Sequence, residues 1–158
     1  MSIEREQGFT LIELLILTVV VGILATLVAM TYSGVQVTNR NSNRQANIDV
    51  IQSQLENYYA KYSQYPNITE LNSESWRTKN MKEINLGDMR DPSWDKKSND
   101  CTANQQPIFT AQPTKNCYSY QATTADGSPC VAADVTCTQY TLTATLEGGE
   151  KYVKSSLN

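Results

Sequence analysis

The sequence predicts an α+β fold, a long N-terminal α-helix packed on a small C-terminal antiparallel β-sheet. Three observations carry this. An apolar run from Phe9 to Met30 holds 22 residues and a single charge, Glu13. A second stripe, Ile48, Ile51, Leu55, Tyr58 and Tyr62, recurs at spacings of 3, 4, 3 and 4, which is one face of a helix. Late in the chain Tyr140, Leu142, Ala144 and Leu146 alternate with Thr141, Thr143 and Thr145, the period of a strand with one buried face.

The apolar run is long enough to cross a hydrocarbon core, at about 33 Å when helical. It follows a short polar leader, MSIEREQG, which is the wrong order and the wrong length for an ordinary secretory signal. The helix is expected to continue to about Tyr62, a span of about 81 Å if wholly helical. Thr31 to Arg44 is rich in Asn, Ser and Thr and holds Gly34, all poor interior helix residues. A bend or loosened turn is therefore expected near Gly22, Gly34 or this stretch. Pro66 closes the helix sterically. The Ile48–Tyr62 stripe reads as packing against a sheet, since a core stripe is far commoner than a ligand or electron-transfer stack.

Residues 67–116 are mixed and polar, with a short helix expected from about Ser73 to Lys82. A strand is expected at Tyr118–Thr123, closed by Ala125-Asp126-Gly127. Glu147-Gly148-Gly149-Glu150 reads as a hairpin turn into Lys151–Leu157. The sheet then has three or more strands.

Composition narrows the chemistry. The formal charge is −3, and the balance argues against a dedicated nucleic-acid binder. Arg77, Lys79 and Lys82 form one local basic cluster, whose three charges would give a modest, salt-sensitive affinity for nucleic acid at best. The chain has no histidine, so no Ser-His-Asp or Cys-His arrangement can be built, and no catalytic constellation stands out. The four cysteines, Cys101, Cys117, Cys130 and Cys137, lie in the last third and read as disulfides. Without histidine or a C-x-x-C pair, zinc is disfavoured. Three pairings are possible; Cys101–Cys117 with Cys130–Cys137 closes the smallest loops and is preferred. Asp88, Asp91, Asp95 and Asp100 crowd one segment, but their spacing is not that of an EF-hand. A solvated acidic loop is expected rather than a metal site, and no cofactor is implied. The sequon Asn67-Ile68-Thr69 is short and promiscuous, and weak evidence for glycosylation.

Glu13 needs its own account, because a charge inside a spanning helix is unfavourable by about 2.5–3.5 kcal/mol at the centre and less near an end. The plain reading is a membrane anchor with the acid near the interface. However, Gly8-Phe9-Thr10-Leu11-Ile12-Glu13 resembles the processing site of type IV prepilins and pseudopilins at all six positions, and the apolar helix follows it. LENYYAKYSQYP, from Leu55 to Pro66, also resembles the end of the long helix in that family. The leader departs from the family in carrying two acids and one Arg where a basic leader is usual, and the apolar run lacks the common proline.

The resemblance implies the type IV pilin fold, with residues 1–8 as leader, 9–30 as the membrane and filament-core half of the helix, 31–62 as its amphipathic half and 63–158 as the head. It implies cleavage between Gly8 and Phe9 by a prepilin peptidase and methylation of the new terminus. Glu13 would then neutralise the α-amine of Phe9 in an adjoining subunit. The implied partners are further copies of the chain in a helical homopolymer, the peptidase, an assembly ATPase and its platform protein. The precursor would sit in the cytoplasmic membrane and the product in an extracellular filament serving adhesion, twitching or DNA uptake. A type II secretion pseudopilin or a competence pilin is the alternative within the family; a membrane-anchored binding module lies outside it.

Overall fold

The computed structural model describes residues 8–82, 84–85, 87, 89–94, 101, 109–131 and 135–157, apart from the side chains at 29–31 and 33. The chain is α+β, and it divides into two compact units, Met1–Thr38 and Asn39–Asn158. Helix α1 covers Leu11–Tyr62. No loosened turn interrupts it at Gly22, Gly34 or between Thr31 and Arg44. Glycine in a helix interior is unfavourable by only about 1 kcal/mol against alanine. Threonine hydroxyls, which could compete with the helix, instead bond back along it: Thr18 to the Leu15 carbonyl (2.8 Å), Thr26 to Ile23 (2.7 Å) and Thr38 to Gly34 (3.1 Å).

Helix α1 stops before Pro66. Ser63 takes a left-handed conformation (φ 54°), and its N–H bonds the Tyr59 carbonyl at 2.7 Å. Two short helices follow, α2 at Ile68–Asn72 and α3 at Glu74–Asn80. Ser73 ends the first and caps the second, its hydroxyl accepting from the Trp76 N–H. The sequence predicts α3 but not α2, a single turn too short to show a period.

The sheet is antiparallel, in the order β1 (Ser119–Thr123), β2 (Gln139–Thr145), β3 (Lys151–Ser155). Tyr120 faces Leu142 across the first pair, and Ala144 faces Tyr152 across the second. The turn between β2 and β3 needs Gly148 and Gly149, at φ 110° and 92°, conformations that residues with a Cβ rarely adopt.

The second unit has one core. Ile48, Ile51 and Leu55 of α1, all at 0% exposure, join Tyr120, Tyr140, Leu142 and Ala144 of the sheet. Each such Ile or Leu contributes about 1.5–3 kcal/mol by leaving water. Tyr58 is buried as the stripe requires, but Tyr62 is 43% exposed, so the stripe ends one turn earlier than its spacing suggests. The helix ends there; Tyr62 lies beside the Tyr58 ring at 4.5 Å instead of entering the core.

The core is rich in tyrosine, and four of its phenols are hydrogen-bonded. Tyr65 and Tyr140 both donate to the carboxylate of Glu56, at 2.8 Å each. Tyr120 donates to the Pro66 carbonyl at 2.7 Å, and the Tyr118 hydroxyl accepts from Asn47 at 3.0 Å. An unsatisfied buried hydroxyl would be unfavourable by about 1–3 kcal/mol, so Glu56 and Asn47 let phenols stand where leucines would otherwise be expected. Burial, then the neighbouring Glu56 carboxylate, pushes the Tyr140 phenol well above its usual range.

Candidate functional site

The start of α1 is built by Thr10 and Glu13. The Thr10 N–H donates to Glu13 Oε2 at 2.9 Å, and its hydroxyl donates to the same oxygen at 2.7 Å. In return the Glu13 N–H reaches the Thr10 hydroxyl at 3.3 Å. This is a capping box, with Thr10 at the cap and Glu13 three residues on. The pattern T-L-I-E carries it in the sequence. One carboxylate oxygen takes both bonds. The other, Oε1, has no hydrogen-bond partner among the described residues.

Phe9 is 85% exposed, and the large apolar side chains from Leu11 to Val28 are exposed as well. Leu11–Val28 is long and apolar enough to cross a membrane. A surface of this kind is unfavourable in water by about 25 cal/mol per Å² of apolar area, so it calls for lipid or for other apolar helices. The first unit thus presents an apolar rod end whose one acid is held by its own helix cap with an oxygen to spare.

The second unit carries the remaining candidate residues. Cys101 is bonded to Cys117 and Cys130 to Cys137, with Cα separations of 5.6 and 5.7 Å. The first bridge ties the segment before β1, and the second closes the β1–β2 connection. Among the described residues no group of three acids, histidines or cysteines could hold a metal ion.

Asp91 is no part of a solvated acidic loop. It is 5% exposed and receives a two-pronged ion pair from Arg44 of α1, at 2.7 and 2.9 Å. Asp88, Asp95 and Asp100 lie outside the described residues. The Arg44 guanidinium also bonds Ser93 (2.9 Å) and Asn41 (2.9 Å) and reaches Glu147 at 3.4 Å. Arg40, one turn earlier, bonds both oxygens of Glu147. The Asn-rich stretch of α1 thereby binds both the loop around Asp91 and the turn between β2 and β3.

Glu147 titrates where this network can be tested. The hydrogen bond from Arg40, with the charges of Arg40 and Arg44, outweighs desolvation and holds its carboxyl down to about 2 from 4.5. A depressed folded value means stability that is complete above 4.5 and lost as the pH falls toward 2. The melting-temperature gap between wild type and Glu147→Gln should be constant above pH 5 and shrink steadily below it. A gap independent of pH from 6 down to 2 would show that the ion pair contributes nothing.

The structure also places the sequon and the basic cluster. Asn67 is 4% exposed and caps α2: its Oδ1 accepts from the Glu70 N–H, and its own N–H donates to the Glu70 carboxylate, both at 2.9 Å. A buried capping amide is closed to glycosylation, so the sequon is a capping box read as something else. Arg77, the first member of the basic cluster, is 4% exposed and donates to the Leu71 carbonyl at 2.8 Å. A nucleic-acid backbone would meet only Lys79 and Lys82 there, which weakens that reading further.

An N-terminal apolar helix with a small three-stranded antiparallel sheet is α+β as in the pilin fold. The family model of the prokaryotic N-terminal methylation motif matches residues 4–29, and this is the class III signal of type IV pilins. The match covers the motif and the apolar helix, and the head lies outside it. No curated protein and no solved structure matches the chain.

Proposed function

We propose that this chain is the precursor of a type IV pilus subunit. Residues 1–8 are the leader, and prepilin peptidase cuts between Gly8 and Phe9. Residues 9–30 pack in the filament core, 31–62 form the amphipathic half of the helix, and 63–158 form the outer head. The new Phe9 amine is methylated, and the Glu13 carboxylate of a neighbouring subunit neutralises it. The observation that carries this reading is the methylation motif at the head of the exposed apolar stretch Leu11–Val28, whose single acid is Glu13.

The capping box supports the pairing role, because it orients the carboxylate and leaves Oε1 for a cation. In a filament core of low dielectric, an unpaired ammonium is unfavourable by several kcal/mol. Pairing therefore selects the axial register that brings amine and acid together. The peptidase, the assembly ATPase with its platform protein, and further copies of the chain are the partners this requires. Adhesion, twitching or DNA uptake would belong to the filament. The pilus is favoured over a secretion pseudopilin by the four cysteines, which close two disulfides in the head.

The test is the intact mass of this subunit in filaments sheared from the cell surface. A mass for Phe9–Asn158 plus one methyl group, less two hydrogens per disulfide, is expected. A full-length mass confined to the membrane, with nothing in the sheared fraction, would overturn the proposal.

A further inference from the structure

We infer that the cleft beside α3 is a binding site for a small organic carboxylate bearing an apolar group, with Arg77 as its anchor. Arg77 is 96% withdrawn from solvent, at 4% exposure. Its Nη1 donates to the Leu71 carbonyl at 2.8 Å. Its Nη2 is buried and has no hydrogen-bond partner, and no ion pair reaches the guanidinium among the described residues. Arg44, the other buried arginine, shows what the chain does with such a group when its needs are met internally: a two-pronged carboxylate, a hydroxyl and an amide. Arginine stays protonated in proteins, so the charge on Arg77 cannot be relieved by losing a proton. The Glu74 carboxylate attracts this charge through space but leaves Nη2 without a hydrogen bond, which an anion arriving from outside would supply.

Arg77 lines a cleft of about 390 Å³, within the range of small-ligand sites. Lys82 provides a second cation on its wall, and Glu74 provides one acid. The Thr78 hydroxyl is already committed to the Glu74 carbonyl at 2.9 Å. Among the described lining residues, two cations face one acid, which suits a singly charged anion. Met81, Ile84 and Met89 supply the rest of the described lining, and all three are apolar. Such walls suit a hydrocarbon body beside the carboxylate. The methionines adapt their shape to the body they meet. An N-acylated amino acid or a peptide end with an apolar side chain has this chemistry. The site stands apart from the filament reading and would survive its failure.

The experiment uses the full chain in a nonionic detergent, with the α3 amide resonances followed during titration. The probes are N-acetyl-L-leucine, N-acetyl-L-leucinamide and inorganic phosphate. N-acetyl-L-leucine is expected to shift the amides of Arg77 to Met81 saturably, with a dissociation constant lower than that of the amide by about tenfold or more, the worth of a charged hydrogen bond. Arg77→Lys should weaken it by a similar factor, because lysine lacks the planar fork. Thr78→Trp places an indole at an exposed lining position outside the core and should abolish binding in a folded protein. Equal affinity for the amide would reduce the effect to apolar partitioning and overturn the proposal. Equal affinity for phosphate, undiminished binding to Thr78→Trp, or no saturable shift with any probe would overturn it too.

Discussion

Glu13→Gln should leave the chain processed and in the membrane but remove it from surface filaments. Glutamine has the shape of glutamate and can still accept from Thr10, so the helix start is kept. What disappears is the charge. On the proposed reading, each added subunit would then carry an unneutralised ammonium into the filament core, unfavourable by several kcal/mol. A loss of about a hundredfold or more in the sheared fraction follows, since 1.4 kcal/mol is a factor of ten. Immunoblots of sheared and membrane fractions measure it, and intact mass shows whether the membrane species begins at Phe9. Thr10→Ala is the contrast: it breaks the capping box, worth about 1 kcal/mol at the helix end, but keeps the carboxylate. Wild-type filament levels from Glu13→Gln, or an equal loss from Thr10→Ala, would mean that the acid serves the helix rather than the assembly.

The second large effect lies in the head. Arg44→Met should lower unfolding free energy by about 3–5 kcal/mol, because it strands Asp91 as a buried, unpaired carboxylate. For a domain whose stability is typically about 5–15 kcal/mol, that removes a large share. Arg44 is also the shared partner of Asn41, Ser93 and Glu147, so its loss frees the Asp91 loop and the turn between β2 and β3 together. Urea unfolding of the oxidised protein measures it. The double variant Arg44→Met with Asp91→Leu should regain most of the loss, since a buried ion pair exchanged for apolar groups is often neutral or better. A single-variant loss below about 1 kcal/mol, the range of surface pairs, would show that water reaches this pair and that it does not pin the head.

Much of the fold could be read from local spacing. Ile48, Ile51 and Leu55 recur at the helical period, and a helix laid on any core must bury them together. Tyr140, Leu142 and Ala144 alternate with threonines, and a strand must turn them to one face. The turn Gly148-Gly149 needs backbone angles that only glycine takes easily. Tyr62 broke the pattern because a period gives no sign of where its partner surface ends.

The sequence by itself determined the features whose physics acts within a few residues: the motif from Gly8 to Glu13, the apolar length from Phe9 to Met30, the capping pattern of Thr10 and Glu13, and the α+β order of elements. Only the tertiary structure decided the fate of the charged and polar side chains in the head. Arg44 meets Asp91 across 47 residues and Glu147 across 103, and Glu56 meets Tyr140 across 84. Asp91, Asn67 and Arg77 look like surface residues in the sequence because their types are usually exposed. Each is buried here: Asp91 and Asn67 with hydrogen-bond partners, Arg77 with one donor satisfied and one still open. A burial of that kind depends on a partner brought close by folding, and no spacing along the chain encodes that distance.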